Sequence, residues 1–283
     1  MENSEVSEVS APFRQPRPTK IHLANPPLAS VLTQARFPQL TAAQTPSWAE
    51  RLAMALAPNY PEMNDGNEMS VTIAPDGQVQ QTQAGNVKQF HTKDRAWHLS
   101  VAPNFITLQS TAYPGRVEFM ERFEAVLRVF IGIAQPTRVE RLGFRYTNRV
   151  VPVPVETLAG WIRPEFLGPI NGAPAVAGPR LVHALSQAIF SFDNPGTSNQ
   201  VQDGMQVQWG ILPAGAVLDP AITPTPAGEP AWILDLDAFR HFPNTVFDLA
   251  AVLNNTQEMA SRAYDYFRWI VTDAFLDHYG AER

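Results

Sequence analysis

The stretch from Trp97 to Val150 limits the possible folds more than any other, because the spacing of its apolar residues changes twice. Apolar and polar residues alternate from Trp97 to Ala112 around Pro103-Asn104, which predicts a hairpin with one buried face. From Arg116 to Ile131 the apolar residues fall three or four apart, as on one face of a helix. Alternation returns at Leu142. A hairpin, a covering helix and a further strand predict a layered α+β unit.

Shorter segments on both sides of this stretch predict a mainly antiparallel sheet with amphipathic helices on one side. Apolar runs bounded by turn residues predict further strands at Ala29–Phe37, Met69–Ile73, Val79–Gln81, Leu181–Phe192, Met205–Leu212 and Trp232–Asp237. The proline-marked segment after Val150 is typical of an edge strand followed by a loop. One helix is expected after the Thr45-Pro46-Ser47 start signal, and a long C-terminal helix from Thr245 to His278.

The chain is predicted to consist of a flexible tail at residues 1–24 and two α+β halves, at residues 25–150 and 151–283. The tail mixes Glu, Ser, Pro and Arg without periodicity, which is typical of a disordered leader but would also suit a docking arm. Each half has several strands followed by an amphipathic helix, and the second half ends in the long helix. This arrangement is compatible with one compact domain and suggests an internal duplication, although residue identity between the halves is low.

The charge is unevenly distributed along the chain. Residues 1–150 contain 15 lysines and arginines against 13 aspartates and glutamates, a difference of +2. Residues 151–283 contain 6 against 14, a difference of −8, and the two halves together give the net charge of −6. An acidic balance disfavours nucleic acid as a partner, except at a local basic patch.

Several chemistries are excluded or disfavoured by composition. The chain has no cysteine, which excludes disulfides, zinc–thiolate sites and thiol nucleophiles. Its N-terminus lacks the basic and apolar blocks of a signal peptide, and no apolar run approaches the ~18 residues of a membrane span. We therefore expect a cytoplasmic protein that has no membrane partner.

Motifs that would assign a reaction are missing from the sequence. It contains no G-x-S-x-G, P-loop or G-x-G-x-x-G, and its six histidines do not fall at a metal-binding spacing. We therefore expect no metal and no cofactor, and a binding protein is favoured over an enzyme. Missing motifs are weak evidence against sites that are recognised by geometry alone.

The best candidate site is a row of three arginines, Arg141, Arg145 and Arg149, called the arginine row below. On a strand their side chains point to one face, together with Gly143 and Thr147. Guanidinium groups in a row could bind phosphate or the carboxylates of a partner. The alternative interpretation is a solvated or salt-bridged sheet face, paired with Asp235 and Asp237.

Two weaker candidates lie in the second half. Asp235 and Asp237 share a strand face, so their carboxylates could bind a metal or act as acid and base, but no further ligand cluster is near them in sequence. The last helix has more aromatic residues than one narrow stripe can hold. It is therefore either buried on two sides or carries an exposed aromatic patch for self-association or a client chain.

The sequence also resembles a sporadically distributed, uncharacterised bacterial protein family of about this length, over most of residues 25–279. The shared motifs are N-P-P-L at Asn25–Leu28, R-F-P at Arg36–Pro38, W-x-L-x-V with F-I-x-L-x-S-x-x-Y at Trp97–Tyr113, R-L-G-x-R-Y-x-N at Arg141–Asn148, and L-D-L-D at Leu234–Asp237. The resemblance implies a fold and a bacterial origin, and it transfers no catalytic residue.

Three hypotheses for the function follow. The leading one is a non-catalytic module that binds another protein or itself, as a homo-oligomer or within a bacterial defence or toxin-control system. The second is a sensor of a phosphate-bearing ligand or nucleic acid that uses Arg141, Arg145 and Arg149. The third is an enzyme with a non-standard carboxylate site at Asp235 and Asp237.

Overall fold

The structure is a computed structural model that describes residues 11–13, 16–45, 47–73, 79–151, 155–169, 181–193, 202–216, 218 and 228–282. Within these ranges, the side chains of residues 44, 67–73, 79–86, 155 and 156 are not described. The strands are β1 His22–Leu23, β2 Leu28–Arg36, β3 Glu62–Ile73, β4 Val79–His91, β5 Trp97–Ala102, β6 Phe105–Ser110, β7 Arg138–Val150, β8 Ala184–Ser191, β9 Asp203–Leu212, β10 Ala231–Val246 and β11 Ala281–Glu282. The helices are α1 Trp48–Leu56, α2 Arg116–Ala134, α3 Val155–Trp161, α4 Leu249–Ile270 and α5 Asp273–His278, with 3-10 turns at Thr41–Gln44 and Pro164–Phe166.

Nine of the strands form one antiparallel sheet in the order β3-β4-β5-β6-β2-β7-β10-β9-β8. Two runs of the chain, from β2 to α2 and from β7 to α4, have the same order of connections: a central strand, a short helix, a strand meander and a long helix. The first strands of the two runs, β2 and β7, lie at the centre of the sheet and pair with each other. The last strand of each run lies beside the first, so that β6 pairs with β2 and β10 pairs with β7. The second run begins with β7, inside the range of residues 25–150 that was predicted for the first half. The α+β prediction is confirmed.

The long helices cover one face of this sheet because their apolar stripes match its buried side chains. Phe119 of α2 lies between Trp97 and Phe144, with ring centroids 5.6 Å from each. Further along α2, Phe130 stacks on Phe37 at 5.3 Å. Helix α4 packs on the central strands β7 and β10. One continuous apolar core runs through both halves.

The predicted long C-terminal helix is present, but it is shorter at both ends than the range from Thr245 to His278. Strand β10 runs on to Val246 through a register shift, so the helix begins at Leu249, where the Asp248 side chain accepts a hydrogen bond from the Ala251 N–H at 2.6 Å. The helix ends at Ile270 because Val271 bridges to Ile162 as extended chain. A separate short helix, α5, follows.

The aromatic residues of α4 are buried on two sides, as one of the two interpretations predicted. Tyr266 is 2% exposed and its ring lies 5.2 Å from Phe190, on the sheet side, and 6.0 Å from Phe166. Phe13 stacks on the same tyrosine at 5.4 Å. An exposed aromatic patch on this helix is therefore not observed among the described residues.

The predicted N-terminal tail contacts the second half. His22–Leu23 pairs with Ala281–Glu282 as a two-stranded sheet, and Arg17 lies 3.3 Å from the Asp265 carboxylate. The hydroxyl of Tyr264 accepts a hydrogen bond from the Ile21 N–H at 2.8 Å. These contacts place the described part of the tail along α4.

Some predicted elements lie outside the described residues. The Pro75-Asp76-Gly77 turn is one of them, although strands β3 and β4 on either side of it do pair. After Val150, the described chain resumes as helix α3 rather than as the predicted edge strand. None of the described helices combines the length and apolar character needed to cross a membrane.

Candidate functional site

The arginine row lies on the sheet face opposite the helices. Residues paired across antiparallel strands share a face, and the register therefore defines this surface, which we call the open face. On the four central strands it consists of Ser30, Leu32, Gln34, Arg36, Phe105, Thr107, Gln109, Arg141, Gly143, Arg145, Thr147, Arg149, Ile233, Asp235, Asp237, Phe239 and His241. All of the described helices pack on the other face.

Arg145 and Asp235 form a buried ion pair at the centre of the open face. The Arg145 Nε lies 2.8 and 3.0 Å from the two Asp235 carboxylate oxygens, and the Thr147 hydroxyl donates to the same carboxylate at 2.7 Å. The side chains of Asp235 and Arg145 are 1% and 13% exposed. Arg145 therefore neutralises a carboxylate that the sheet has removed from water.

Arg141 lies nearer to solvent and is held more loosely. Its guanidinium is 3.7 Å from the Asp237 carboxylate and 5.4 Å from the centre of the Phe239 ring, with a quarter of the side chain exposed. A Cβ atom at position 143 would lie 3.0 Å from an Arg141 guanidinium nitrogen. Gly143 therefore leaves room for the arginine to lie along the strand.

Arg149 lies at the far end of the arginine row and is half-buried. Its backbone N–H donates to the Pro27 carbonyl at 2.7 Å, which ties this end of β7 to the segment before β2. The three arginines thus share one face, as predicted, but have different surroundings. The predicted pairing with the two aspartates is present for Arg145 and Arg141.

A polar network that sequence reasoning missed continues the open face across β2 and β6. Gln109 donates to the Ser30 hydroxyl at 2.9 Å, and Arg36 donates to the Gln34 side chain at 2.7 Å. Ser30 and Gln109 are buried even though no helix covers them among the described residues. The alternation of Thr107 and Gln109 with apolar residues was the available signal, but it does not reveal their partners.

The histidine pair His91 and His98 adds a pH-sensitive group to this network. Their rings stack at 4.5 Å across β4 and β5, and His98 lies 3.1 Å from the Ser100 hydroxyl. Burial, together with the nearby His91, lowers the pKa of His98 to about 4, and burial also lowers the pKa of His91. The folded chain therefore holds the His98 imidazole in its neutral form at pH 7.

Acidification is expected to destabilise the chain through His98. The unfolded chain binds a proton near pH 6.5, whereas the folded chain does so only near pH 4, so stability is lost as the pH falls between these values. The loss should reach about 2 to 3 kcal/mol. Urea unfolding at pH 7 and pH 4.5 measures it. His98→Gln should reduce the difference between the two pH values, and an unchanged difference would contradict this role.

Asp235 and Asp237 have surroundings that differ from those of the predicted carboxylate site. Asp235 and Asp237 share a face, as predicted, but Asp235 accepts its bonds from Arg145 and Thr147. Among the described residues, no group of three or more acidic or histidine side chains is placed to hold a metal ion. The arrangement accounts for Asp235 as the counter-ion of Arg145.

Comparison with known proteins assigns no family. No protein-family model matches the sequence, and no curated protein matches it significantly. The geometry of the open face is therefore the basis for a functional assignment.

Proposed function

We propose that the chain is a non-catalytic protein-binding module whose open face binds an acidic, extended segment of its partner. The observation that carries this proposal is a local surplus of positive charge. On its central strands the open face has two more positive than negative side chains, whereas the whole chain has a net charge of −6. The charged residues are the arginines Arg36, Arg141, Arg145 and Arg149 and the aspartates Asp235 and Asp237. Opposite potentials attract a partner and set its orientation.

The three arginines have different roles in this proposal. Arg145 stabilises the surface and does not bind the partner directly, because it is almost buried and bonded to Asp235. Arg141, which is 25% exposed, and the half-buried Arg149 lie at the two ends of the row. A partner carboxylate can compete with Asp237 for Arg141, since that pair is long and partly hydrated.

The spacing of the two outer arginines favours an extended partner over a single phosphate group. Arg149 follows Arg141 by eight positions in β7, which corresponds to about 27 Å along a strand. One phosphate group cannot bridge this distance, whereas an extended protein segment of about eight residues can. A nucleic-acid strand is also long enough, and it remains the alternative that the experiment below distinguishes.

We also propose a cellular setting for the protein. A module of this kind would act by holding its partner, and we place it in the bacterial cytoplasm, in a defence or toxin-control system. The resemblance of its motifs to those of a bacterial family supports this setting.

We expect the double variant Arg141→Gln, Arg149→Gln to lose the partner. Tagged wild-type chain is incubated with an extract of cells that express it naturally, and the captured protein is identified, purified and titrated against the chain. The variant should bind it at least about tenfold more weakly, because each charged hydrogen bond contributes about 1.5–3 kcal/mol. Binding by the wild-type chain should weaken with salt.

The matched control is Arg128→Gln, which removes an exposed arginine from α2, on the opposite face. It should bind the partner like the wild type. Equal binding by the double variant, or capture of no protein, would overturn the proposal. Salt-sensitive binding of single-stranded oligonucleotide that requires the same two arginines, without protein capture, would favour the second hypothesis.

A further inference from the structure

The two edge strands of the sheet differ in how they are protected against pairing. Strand β3 carries Glu62 and Asp65, which form ion pairs with Arg95 and Lys88, and its register with β4 shifts after Gly66. Charges and bulges are the usual means of preventing edge-to-edge association. Strand β8 has the sequence A-L-S-Q-A-I-F-S, without a charge, a proline or a register shift.

Strand β8 also exposes apolar side chains. Leu185 and Ile189 are 43% and 55% exposed on the same face, with the exposed Gln187 between them. No strand within the described residues pairs with the outer side of β8. An uncharged apolar edge of eight residues is a template for strand addition.

We propose that the occupant of this edge is a second copy of the chain, added antiparallel through β8 about a two-fold axis at Gln187. This inference stands apart from the proposed function, since β9 and β10 separate β8 from the strand that carries the arginine row. Strand β8 of one protomer would pair with β8 of its partner. The two sheets would then form one continuous sheet.

The side-chain pattern selects this register. Side chains alternate between faces along a strand, and residues that lie opposite each other in a pair point to the same face. A two-fold axis normal to the sheet must therefore lie between the two copies of one residue, and not level with a peptide bond between two residues. With the axis at Gln187, each Leu185 of one protomer lies opposite Ile189 of the other, on the same face as the two glutamines. Both exposed apolar residues are then covered by each other.

The remaining contacts are compatible with this pairing. On the other face, Ala184 lies opposite Phe190 and Ser186 opposite Ala188, so a small residue meets each larger one. No like charges meet, because β8 has none. The Gln187 side chain already accepts a hydrogen bond from Gln208 at 2.8 Å, which holds it on the exposed face near the axis. Cross-strand pairs of this kind contribute about 0.2–1 kcal/mol each.

The register predicts which single cysteine will crosslink. The chain has no natural cysteine. In Gln187→Cys, the two thiols would face each other across a strand pair, where Cα atoms are about 4.5–5.5 Å apart, within the range of a disulfide. Treatment with a mild thiol oxidant at micromolar concentration should therefore convert most of the chain into a disulfide-linked dimer, seen on non-reducing gels and by mass spectrometry.

Leu185→Cys is the matched control, because it lies on the same strand and face. The register separates its two copies by four residues, about 14 Å, which is too far for a disulfide. It should remain monomeric on the gel. Crosslinking of both variants to the same extent, or of neither, would overturn the proposal.

A second measurement does not depend on oxidation. Light scattering after size exclusion should show a dimer for the wild type and a monomer for Ile189→Lys, since edge lysines oppose strand addition. Val117→Lys changes an equally apolar, 73% exposed residue on α2 and should remain a dimer. Circular dichroism of each variant checks that it is folded. A monomeric wild type, or a dimeric Ile189→Lys, would contradict the pairing.

Discussion

Replacing Asp235 with alanine is expected to lower the free energy of unfolding by about 3 to 5 kcal/mol. The carboxylate is 1% exposed and accepts hydrogen bonds from Arg145 and Thr147, so its loss removes the charge that neutralises a nearly buried guanidinium. Breaking one side of a buried pair is costly because the other charge stays in a medium of low polarity. Urea unfolding monitored by circular dichroism measures the change.

Asp237→Ala is the matched control two residues along the same strand. Its carboxylate is 26% exposed and lies 3.7 Å from Arg141, so the change should cost less than about 1 kcal/mol. A second variant, Arg145→Met with Asp235→Leu, removes both buried charges and should recover most of the stability lost by Asp235→Ala. If Asp235→Ala and Asp237→Ala cost the same, the buried pair does not stabilise the open face as described.

Gly210→Ala is expected to cost at least about 2 kcal/mol and to loosen β8 from the sheet. Gly210 lies opposite Leu185 in the β8–β9 pair and has φ +146°, a conformation that residues with a Cβ rarely adopt. An added Cβ would overlap the carbonyl oxygen of Ala184, so the backbone of β8 would have to move away. Urea unfolding measures the loss, and hydrogen exchange of the β8 amides locates it.

Gly132→Ala provides the comparison for this substitution. Gly132 lies within α2, and an added Cβ there meets no atom within 4 Å. Alanine should therefore stabilise the chain by about 0.5–1 kcal/mol through its higher helix propensity. Wild-type stability in Gly210→Ala would show that the contact between the β8 and β9 backbones is less close than described. Loosening of β8 should also reduce dimer formation in the crosslinking experiment.

The parts of the fold that sequence reasoning predicted well depend on residues close together in the chain. The hairpin around Pro103-Asn104 and the helix from Arg116 were correct because their turn chemistry and periodicity are local. The face of the arginine row was also predictable, since alternation on a strand needs no partner. The order of strands and helices also suggested a repeat, although its second copy begins with β7 and not after Val150.

The errors occur where distant segments compete with local preference. The apolar stripe runs past Ile270, yet the helix stops there because Val271 pairs with Ile162 and the Thr272 hydroxyl donates to the Gly160 carbonyl at 2.9 Å. The helix start was misplaced because β10 continues beside β7 as far as Val246. In both places, long-range backbone pairing replaces the continuation that the local pattern favoured.

By itself, the sequence determined the α+β class, the apolar stripes and the face on which Arg141, Arg145 and Arg149 lie. These properties follow from periods of two and 3.6 residues, which act over a few neighbours. Only the tertiary structure decided that β7 lies between β2 and β10, which brings Asp235 to Arg145 and leaves β8 at an edge. Strand neighbours are chosen by the packing of segments far apart in the chain, so the roles of these charges and of this edge depend on contacts that no local pattern specifies.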